Sequence, residues 1–416
     1  MATDLRPGPS VSEPVLRWSA RVHSIAEIEA QLARIWAKQD LTAEVEGEPG
    51  RYIAARTSVM NLVVIASRPE IGERAATTVQ ALTGRHPSRT IVVQSADPDG
   101  PSWIDARIEA HCVLPRADAP ETCAETIYLA AGGEAGRHLA AIVTPLIIHD
   151  LPVTVWWPGE PSFRSPAARD LLAGADRLVV DGSSWSGDGL ARLRAMASLQ
   201  DATGLAIRDF ALVRQSRWRE AIASVFDDPD FLPYLRSIRR IAVTYASHDE
   251  TGAPGSTNLV KPVYHVAWIA SRLGLAVHRP LTPVGTPTAS KAKVHHPAPG
   301  RQVVGRGLHA TLSDGRGDVG VVVRPLISPM PGGTTLRVEL LAERRGSELR
   351  ADVTAEAESV HVRVWQDGVE ALDRPFLAAR RTDLELLGEI LESGLRDPVA
   401  DGTLRSAAAL VGEDHA

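Results

Sequence analysis

Short runs of β-branched and aliphatic residues alternate with helix-length amphipathic segments between residues 61 and 180. Segments 73–83 and 137–148 have the apolar spacing of helices. The apolar runs are typical of buried strands and cover residues 61–66, 89–94, 125–131 and 153–157. Strands that alternate with helices in this way predict an α/β domain over residues 51–182, with a mixed or parallel sheet and flanking helices.

The remaining sequence changes character twice. Residues 183–300 form a helix-rich middle section, with helices predicted over 206–226 and 258–273 and a Pro-, His- and Lys-rich linker after residue 282. Residues 301–416 alternate apolar and polar side chains, which predicts a C-terminal antiparallel β meander, followed by a helix over 384–391 and an acidic tail. Residues 1–50 form an N-terminal lead and helix, so we predict four sections in all: 1–50, 51–182, 183–300 and 301–416.

The composition excludes several classes of protein. The 33 glycines and 29 prolines among 416 residues exclude a long coiled coil. A net charge of −6 does not suit a general nucleic-acid binder. No apolar run reaches the ~18–20 residues that span a bilayer, and the N-terminus lacks the apolar core of a signal peptide. We therefore predict no nucleic-acid partner, no membrane partner and a cytoplasmic location.

The chain offers few residues for a metal or a disulfide framework. Its two cysteines, Cys112 and Cys123, are too few for an all-cysteine zinc site. We expect two reduced thiols, with a regulatory disulfide across the short loop between them as the alternative. His295 and His296 lie in the linker, and adjacent histidines do not both face one metal from regular structure. We predict no metal site.

A glycine-rich turn lies between the strand at 125–131 and the helix at 137–148. Backbone N–H groups at Gly132, Gly133 and Gly136, with the Arg137 side chain, offer an anion site, and a plain tight turn is the alternative interpretation. The turn lacks both the P-loop ending and the dinucleotide fingerprint, so we predict no cofactor. No nucleophile elbow and no paired carboxylates are present, so we predict no catalytic residues.

Three further segments combine residue types that are common at interfaces. They are RTSVMN at residues 56–61, RHPSR at residues 85–89 and HDLPVTVWWP at residues 149–158. Pro87 forces His86 out of the helical region at a helix-to-strand junction. Trp156 and Trp157 are adjacent on a predicted strand and must point to opposite faces of it.

In this order, the three segments resemble the glucose-6-phosphate dehydrogenase assembly protein family (OpcA). SRWRE at residues 216–220 and HVAWIASRLG at residues 265–274 are also similar to that family, so the resemblance covers about half of the chain. The resemblance implies a non-enzymatic protein that binds glucose-6-phosphate dehydrogenase and favours its active oligomer, in the oxidative pentose phosphate pathway. Some photosynthetic members respond to thioredoxin through cysteines, and this chain has no cysteine after Cys123.

Interface energy is most often carried by Trp and Arg side chains. Our hypothesis places the partner-binding anchors at Arg85, His86, Arg89, Trp156 and Trp157. The alternative for the two tryptophans is that both rings are buried between the sheet and its helices. The rival function is a sugar-phosphate sensor or an enzyme that uses the anion site at the glycine-rich turn.

Overall fold

The structure, a computed structural model of the chain, forms two compact units. It describes residues 16–37, 42–43, 52–53, 55–97, 99–113, 122–247, 257–283, 307–315 and 317–412. The first unit comprises Met1–Val180 with Thr382–Leu395, and the second comprises Asp181–Arg381 with Arg396–Ala416. Within the described ranges, every helix is too short or too polar to cross a membrane.

The first unit is built on a mixed sheet. Its strands, in chain order, are β1 (Leu16–Val22), β2 (Thr42–Ala43), β3 (Tyr52–Ile53), β4 (Ala55–Arg56), β5 (Met60–Ala66), β6 (Ser88–Ser95), β7 (Trp103–Val113), β8 (Thr122–Gly132), β9 (Val153–Trp157) and β10 (Arg177–Val180). The spatial order is β1-β7-β8-β6-β5-β9-β10, with β4 beside β8 and β2 paired separately with β3. Five of these strands, β8, β6, β5, β9 and β10, run parallel, and β7 is antiparallel to both neighbours.

Helices cover the parallel strands because those strands are apolar on both faces. Leu62, Val63 and Val64 on β5 are all buried, as expected for strands inside such a sheet. The helices before residue 181 are α1 (Ile25–Ala37), α2 (Pro69–Gln80), α3 (Gly133–Arg137), α4 (Leu139–Val143) and α5 (Pro166–Ala173). The α/β class predicted from the sequence is confirmed.

The helix predicted over residues 137–148 is broken. Helix α3 ends at Arg137, α4 begins at Leu139, and a 3₁₀ turn over Thr144–Leu146 ends the segment. His138 between the two helices has φ −115° and ψ 50°, outside the helical region. Pro145 cannot donate a backbone hydrogen bond inside a helix, which accounts for the early end.

The second unit contains a second mixed sheet and most of the longer helices. The strands of this unit are β11 (Ala206–Asp209), β12 (Ile238–Ser247), β13 (Ala276–Pro283), β14 (Leu308–Ser313), β15 (Asp318–Ile327), β16 (Thr335–Arg344), β17 (Ser347–Ala355), β18 (Ser359–Gln366) and β19 (Val369–Leu377). All of them except β11 belong to the second sheet. The helices after residue 180 are α6 (Leu190–Thr203), α7 (Phe210–Val213), α8 (Ser216–Val225), α9 (Val260–Leu273), α10 (Asp383–Glu392) and α11 (Pro398–Val411). Of these, α10 belongs to the first unit.

The antiparallel meander predicted for the C-terminal section forms most of this second sheet. The strand order is β13-β14-β15-β12-β16-β17-β18-β19, and only β12 with β15 is parallel. Leu349, Ala351 and Val353 are buried on one face of β17, as the alternation predicts. Strand β12 comes from the helix-rich middle section and lies between β15 and β16, so the middle and C-terminal sections share one sheet.

The single long helix predicted over residues 206–226 is wrong. The segment divides into strand β11 and helices α7 and α8. Asp209 ends the strand and caps the helix, because its side chain accepts the Ala211 N–H at 2.7 Å. The spacing of apolar residues gives no sign of this capping interaction, so it does not predict the break between β11 and α7.

The C-terminal helix is confirmed, but the tail after it is more ordered than predicted. Helix α10 begins with a capping box between Thr382 and Glu385. Asp397 then caps α11, with Pro398 in its first turn, a combination that the sequence displays and that favours a helix start. Residues 413–416 of the predicted tail, and His295 with His296, lie outside the described residues.

Candidate functional site

Asn61, from the first of the three sequence motifs, holds the loop that begins the third. Its side-chain amide donates to the carbonyl oxygens of Ile148 at 2.9 Å and Leu151 at 3.2 Å, and its side-chain oxygen accepts the Ile148 N–H at 2.8 Å. Asn61 itself has no exposed surface. The asparagine therefore fixes the loop that leads into β9.

Glu125 connects the motifs through what we call the Glu125 cluster, formed by Glu125, Arg89, Arg56 and Trp36. Its carboxylate accepts Arg89 Nε at 2.5 Å, Arg56 Nη2 at 2.7 Å and Trp36 Nε1 at 2.5 Å. Arg89 also donates to the Leu146 carbonyl oxygen at 2.7 Å. The Arg89 and Glu125 side chains are 9% and 1% exposed, so this charge pair is buried and hydrogen-bonded.

Trp156 and Trp157 are both buried, which is the alternative that the sequence left open for them. They are 2% and 8% exposed, on a strand that lies between β5 and β10. The Trp157 ring meets the Phe163 ring edge-on, with centroids 6.4 Å apart. With Arg89 buried as well, three of the five proposed anchors have little surface of their own.

Arg85 and His86 lie nearer the surface. The Arg85 side chain is 69% exposed and pairs with Glu392 of α10, while His86 Nε2 lies 3.7 Å from the same carboxylate. Partial burial lowers the pKa of His86, against an opposing effect from Glu392. The Val59 N–H donates to the Pro87 carbonyl at 2.9 Å, which brings Val59, a 48% exposed apolar side chain, to the same turn.

Sequence reasoning missed Glu125, Glu392 and Val59. Glu125 looked like ordinary strand content, yet a carboxylate within an otherwise apolar buried strand is itself a signal, because such a group needs a charged partner. Glu392 lies 307 residues from Arg85 in the chain, and no local pattern links the two residues. Val59 lay within a quoted motif, and only the structure shows that it is exposed.

The glycines of the glycine-rich turn are tightly packed. A Cβ on Gly133 would lie 2.6 Å from the Gly100 carbonyl oxygen, and Gly133 has φ +57°, a conformation that favours glycine. A Cβ on Gly132 would lie 2.3 Å from Trp103 Nε1, and one on Gly136 would lie 2.6 Å from the Ala131 carbonyl oxygen. These contacts account for the three glycines by packing.

The polar groups of the same turn are engaged within the chain. The Gly133 N–H donates to the Asp97 carbonyl at 2.9 Å, and the Ala135 N–H donates to Ser102 Oγ at 3.3 Å. Arg137 is half-exposed and pairs with Asp99 at 2.8 Å. Anion binding at this turn stays a prediction to which the geometry adds no support.

Cys112 and Cys123 form a disulfide, so the expectation of two reduced thiols is wrong. The two residues lie directly opposite each other on β7 and β8, with Cα atoms 4.0 Å apart. The sequence separation of 11 residues spans the β7–β8 connection. Among the described residues, no group of three or more His, Cys, Asp or Glu side chains is placed to hold a metal.

The second unit buries an ionisable group that the sequence did not single out. Asp209 has a carboxyl group that accepts the Gly182 N–H at 2.9 Å and the Tyr264 hydroxyl at 2.9 Å, in addition to the capping bond. Burial, aided by the neighbouring Asp181 charge, raises the pKa of Asp209 to about 7, although the hydrogen bonds oppose the shift. The group is placed to organise the β11–α7 junction.

Two compact α/β units define the class of this protein, and comparison with known proteins gives its family. The family model described as the glucose-6-phosphate dehydrogenase subunit N-terminal domain matches residues 79–198. The model described as the C-terminal domain of the same subunit matches residues 205–400. The chain belongs to the OpcA family, as the sequence motifs predicted.

Curated relatives match part of the chain. A protein of Synechocystis sp. named as an OxPP cycle protein OpcA is 27% identical over 173 residues, which make up 41% of this chain and 34% of the relative. A protein of the same name from Synechococcus elongatus is 26% identical over 202 residues, or 48% of this chain and 43% of the relative. The matches therefore span less than half of these relatives.

Solved structures are similar only at a low level. The transcriptional regulator Gal80p from Kluyveromyces lactis is 10% identical with a TM-score of 0.38, covering 85% of this chain and 83% of that chain. The WlbA dehydrogenase from Bordetella pertussis is 11% identical with a TM-score of 0.33, covering 86% of this chain and 95% of that chain. At these values, neither likeness carries an argument about activity.

Proposed function

We propose that this chain binds glucose-6-phosphate dehydrogenase and favours the active oligomer of that enzyme, without catalysing a reaction itself. The observation that carries the proposal is the pair of consecutive family matches, both described as domains of a glucose-6-phosphate dehydrogenase subunit. The names of the curated relatives support a role in the oxidative pentose phosphate cycle. A cytoplasmic location is part of the proposal.

Activation through assembly sets a physical condition on binding. The chain must bind the active form of the enzyme more tightly than the inactive form, because equal binding shifts no equilibrium. A stable interface of this kind buries ~800 Å² on each partner and depends on a few anchors near its centre.

We assign the anchors to a small surface of the first unit that we call the Arg85 patch, comprising Val59, Arg85, His86 and Glu392. The patch combines an exposed apolar side chain with an exposed guanidinium at one turn. Arg89, Trp156 and Trp157 then act as buried supports that fix the turn and the neighbouring strands. This assignment keeps the residues predicted from the sequence but divides their roles.

The proposal is tested by measuring dehydrogenase activity and oligomer size with and without the chain. We expect a higher specific activity and a shift to the larger oligomer when the cognate enzyme and this chain are mixed. An enzyme whose rate, substrate affinity and size stay the same at saturating concentrations of this chain would overturn the proposal.

The Arg85 patch is tested by Val59→Asp. We expect this variant to weaken binding to the dehydrogenase by about ten-fold or more, because it places an unpaired charge in the interface. Val369→Asp is the matched control, since Val369 is a 71% exposed valine on β19 of the second unit. Equal binding by the two variants would remove the patch from the proposed interface.

A further inference from the structure

A basic cavity lies within the second unit, apart from every residue that the sequence singled out as an anchor. Its volume is about 330 Å³, at the small end of the range for metabolite sites. The walls come from the α7–α8 junction, helix α9, the segment before β16, the β17–β18 turn and the segment after β19. Five cationic side chains line it: Arg214, Arg217, Lys261, Arg380 and Arg381.

Cations outnumber carboxylates in the cavity wall, although two of the cations also pair with carboxylates outside it: Arg214 with Asp181 at 2.7 Å and Arg217 with Glu220 at 2.6 Å. Glu356 contributes the one carboxylate among the described lining residues, and it already accepts the Ser359 hydroxyl at 2.8 Å. Lys261 has a lowered pKa because it is largely buried and because Arg214 and Arg380 repel its charge, although Asp181 opposes this effect. Clustered cations of this kind create a potential that attracts an anion.

Three buried side chains in the cavity wall carry polar atoms with no hydrogen-bond partner among the described residues. They are both ring nitrogens of His265, the Gln215 side-chain oxygen and the Thr335 hydroxyl. His265 has no exposed surface, and Gln215 and Thr335 are 4% and 6% exposed. Buried polar groups almost always have hydrogen-bond partners, so these unpartnered atoms indicate a ligand that supplies the missing partners.

The His265 imidazole is neutral in this site. Burial, together with the charges of Arg219 and Lys261, lowers its pKa to about 3. A neutral imidazole offers one N–H donor and one acceptor nitrogen, so it can accept from a hydroxyl while donating to another oxygen. Its ring packs against Trp218, with centroids 5.2 Å apart, and Trp218 also lines the cavity.

We propose that the basic cavity binds a small organic phosphate, with its phosphoryl group held by the cations and its hydroxyl-bearing part held by His265, Gln215 and Thr335. A phosphoryl group suits several converging donors that carry no acceptor, which is what Lys and Arg provide. Trp218, Pro331 and Val360 supply apolar wall for a carbon skeleton. The proposal is independent of binding to the dehydrogenase.

The test uses the purified full chain without the dehydrogenase, so its failure is distinguishable from failure of the proposed function. Four probes are titrated by calorimetry and by thermal shift: glucose 6-phosphate, inorganic phosphate, gluconate and glucose. We expect glucose 6-phosphate to bind and to raise the melting temperature, since a ligand that binds only the folded state stabilises it. We expect weaker binding of inorganic phosphate and none of glucose.

Each alternative result overturns a defined part of the proposal. No heat and no thermal shift with either phosphate probe at millimolar concentration would overturn the site. Gluconate bound as tightly as glucose 6-phosphate would overturn the assignment to a phosphate. Inorganic phosphate bound as tightly as glucose 6-phosphate would overturn the role of the three buried polar side chains.

Variants tie the binding to this cavity. We expect Lys261→Met to weaken glucose 6-phosphate binding by about ten-fold or more, and Arg380→Gln, at an exposed position that leaves the core intact, by a smaller factor. Arg272→Gln is the control, because it removes the same charge from the exposed end of α9 outside the cavity. Equal affinities for Arg380→Gln, Lys261→Met and Arg272→Gln would show that the ligand binds elsewhere.

Discussion

The Glu125 cluster of the first unit and the basic cavity of the second unit are both groups of buried or partly buried charges, but they differ in how their hydrogen bonds are satisfied. In the cluster, one carboxylate accepts from two arginines and an indole. In the cavity, five cations and one carboxylate line the wall, and two of the cations pair with carboxylates outside it. His265, Gln215 and Thr335 keep polar atoms that have no partner among the described residues. Within the described residues, the polar groups of the Glu125 cluster have hydrogen-bond partners, whereas several buried polar atoms of the basic cavity have none.

This difference separates two uses of polar residues. A buried group whose partners all come from its own chain stabilises one conformation, and little of its bonding capacity is left for a ligand. A buried group without partners is costly to fold, so its presence calls for a compensating role. The Arg- and Trp-rich motifs of the first unit drew attention to the Glu125 cluster, although the basic cavity has more unsatisfied polar groups with which to bind a ligand.

The largest expected effect comes from opening the Glu125 cluster. Glu125→Ala leaves the buried Arg89 guanidinium without its carboxylate, and removing one partner of a buried pair costs about 3–5 kcal/mol. We expect the free energy of unfolding of the first unit to fall by that amount, measured by urea denaturation with a probe of that unit.

Glu134→Gln is the control for this measurement. Glu134 pairs with His138 and Arg137 at an exposed site, where the loss is expected to stay below about 0.5 kcal/mol. If Glu125→Ala were no more harmful than Glu134→Gln, the cluster would not hold the motifs together.

The next effect is a pH dependence in the second unit. The unfolded chain ionises Asp209 near the ordinary pKa of about 3.9, whereas the folded chain does so near 7. Between these values the folded state binds more protons, so the free energy of unfolding falls as pH rises, by at most about 1.4 kcal/mol per pH unit from this group. Asp209→Asn stays neutral throughout and keeps an oxygen for the Gly182 and Ala211 N–H groups.

We therefore expect the stability of Asp209→Asn relative to the unmodified chain to rise between about pH 4 and pH 7, by roughly 2–4 kcal/mol in total. Comparison of the two proteins at each pH cancels the opposite dependence of His265, which stabilises the fold as pH rises toward its unfolded pKa of about 6.5. A difference that is flat over this range would show that Asp209 ionises normally in the folded protein.

A third prediction concerns the unpartnered polar atoms of the basic cavity, tested at His265. His265→Phe keeps a ring against Trp218 and removes two buried nitrogens that have no partner among the described residues. Replacing unsatisfied polar atoms by apolar ones of similar shape is neutral or stabilising, so we expect the ligand-free protein to gain about 0–2 kcal/mol. Thermal unfolding without phosphate in the buffer measures it, and a loss above about 1 kcal/mol would mean that the imidazole is paired in the folded state.

The sequence predicted those strands and helices whose signals are local, among them α2, α9 and α10. The apolar runs that became β5, β6, β8 and β9 were identified from residue types alone, as was the alternation in β17. Residues 206–226 were misread because an apolar period does not register the capping of α7 by Asp209. Helices α5, α6 and α11 were missed, the last although Asp397 and Pro398 indicate its start.

The sites were harder to predict because their members are distant in the chain. Glu125 lies 36 residues from Arg89 and 69 from Arg56, so the motifs were visible while the carboxylate that joins them was not. The basic cavity collects side chains from residue 214 to residue 381. Arg217, Trp218 and His265 lie in segments that resemble the family, but no local pattern shows that these side chains line one cavity. Burial, which decides between an anchor and a support for Trp156 and Trp157, depends on strand order rather than on residue type.

The smallest expected effect on stability comes from Arg85, and it sharpens the contrast with Arg89 four residues away. The Arg85 side chain is 69% exposed against 9% for Arg89, and its carboxylate partner Glu392 is 47% exposed. Solvent screens such a pair, so Arg85→Ala is expected to change the free energy of unfolding by less than about 0.5 kcal/mol. Arg89→Ala is expected to lower it by about 3–5 kcal/mol, because it leaves the buried Glu125 carboxylate without that partner. Urea denaturation of the two variants side by side checks this, and the dehydrogenase-binding measurement on the same samples then separates a surface role from a structural one. Normal stability with weakened binding for Arg85→Ala would support an anchor, and a stability loss as large as that of Arg89→Ala would show that Arg85 is part of the buried framework instead.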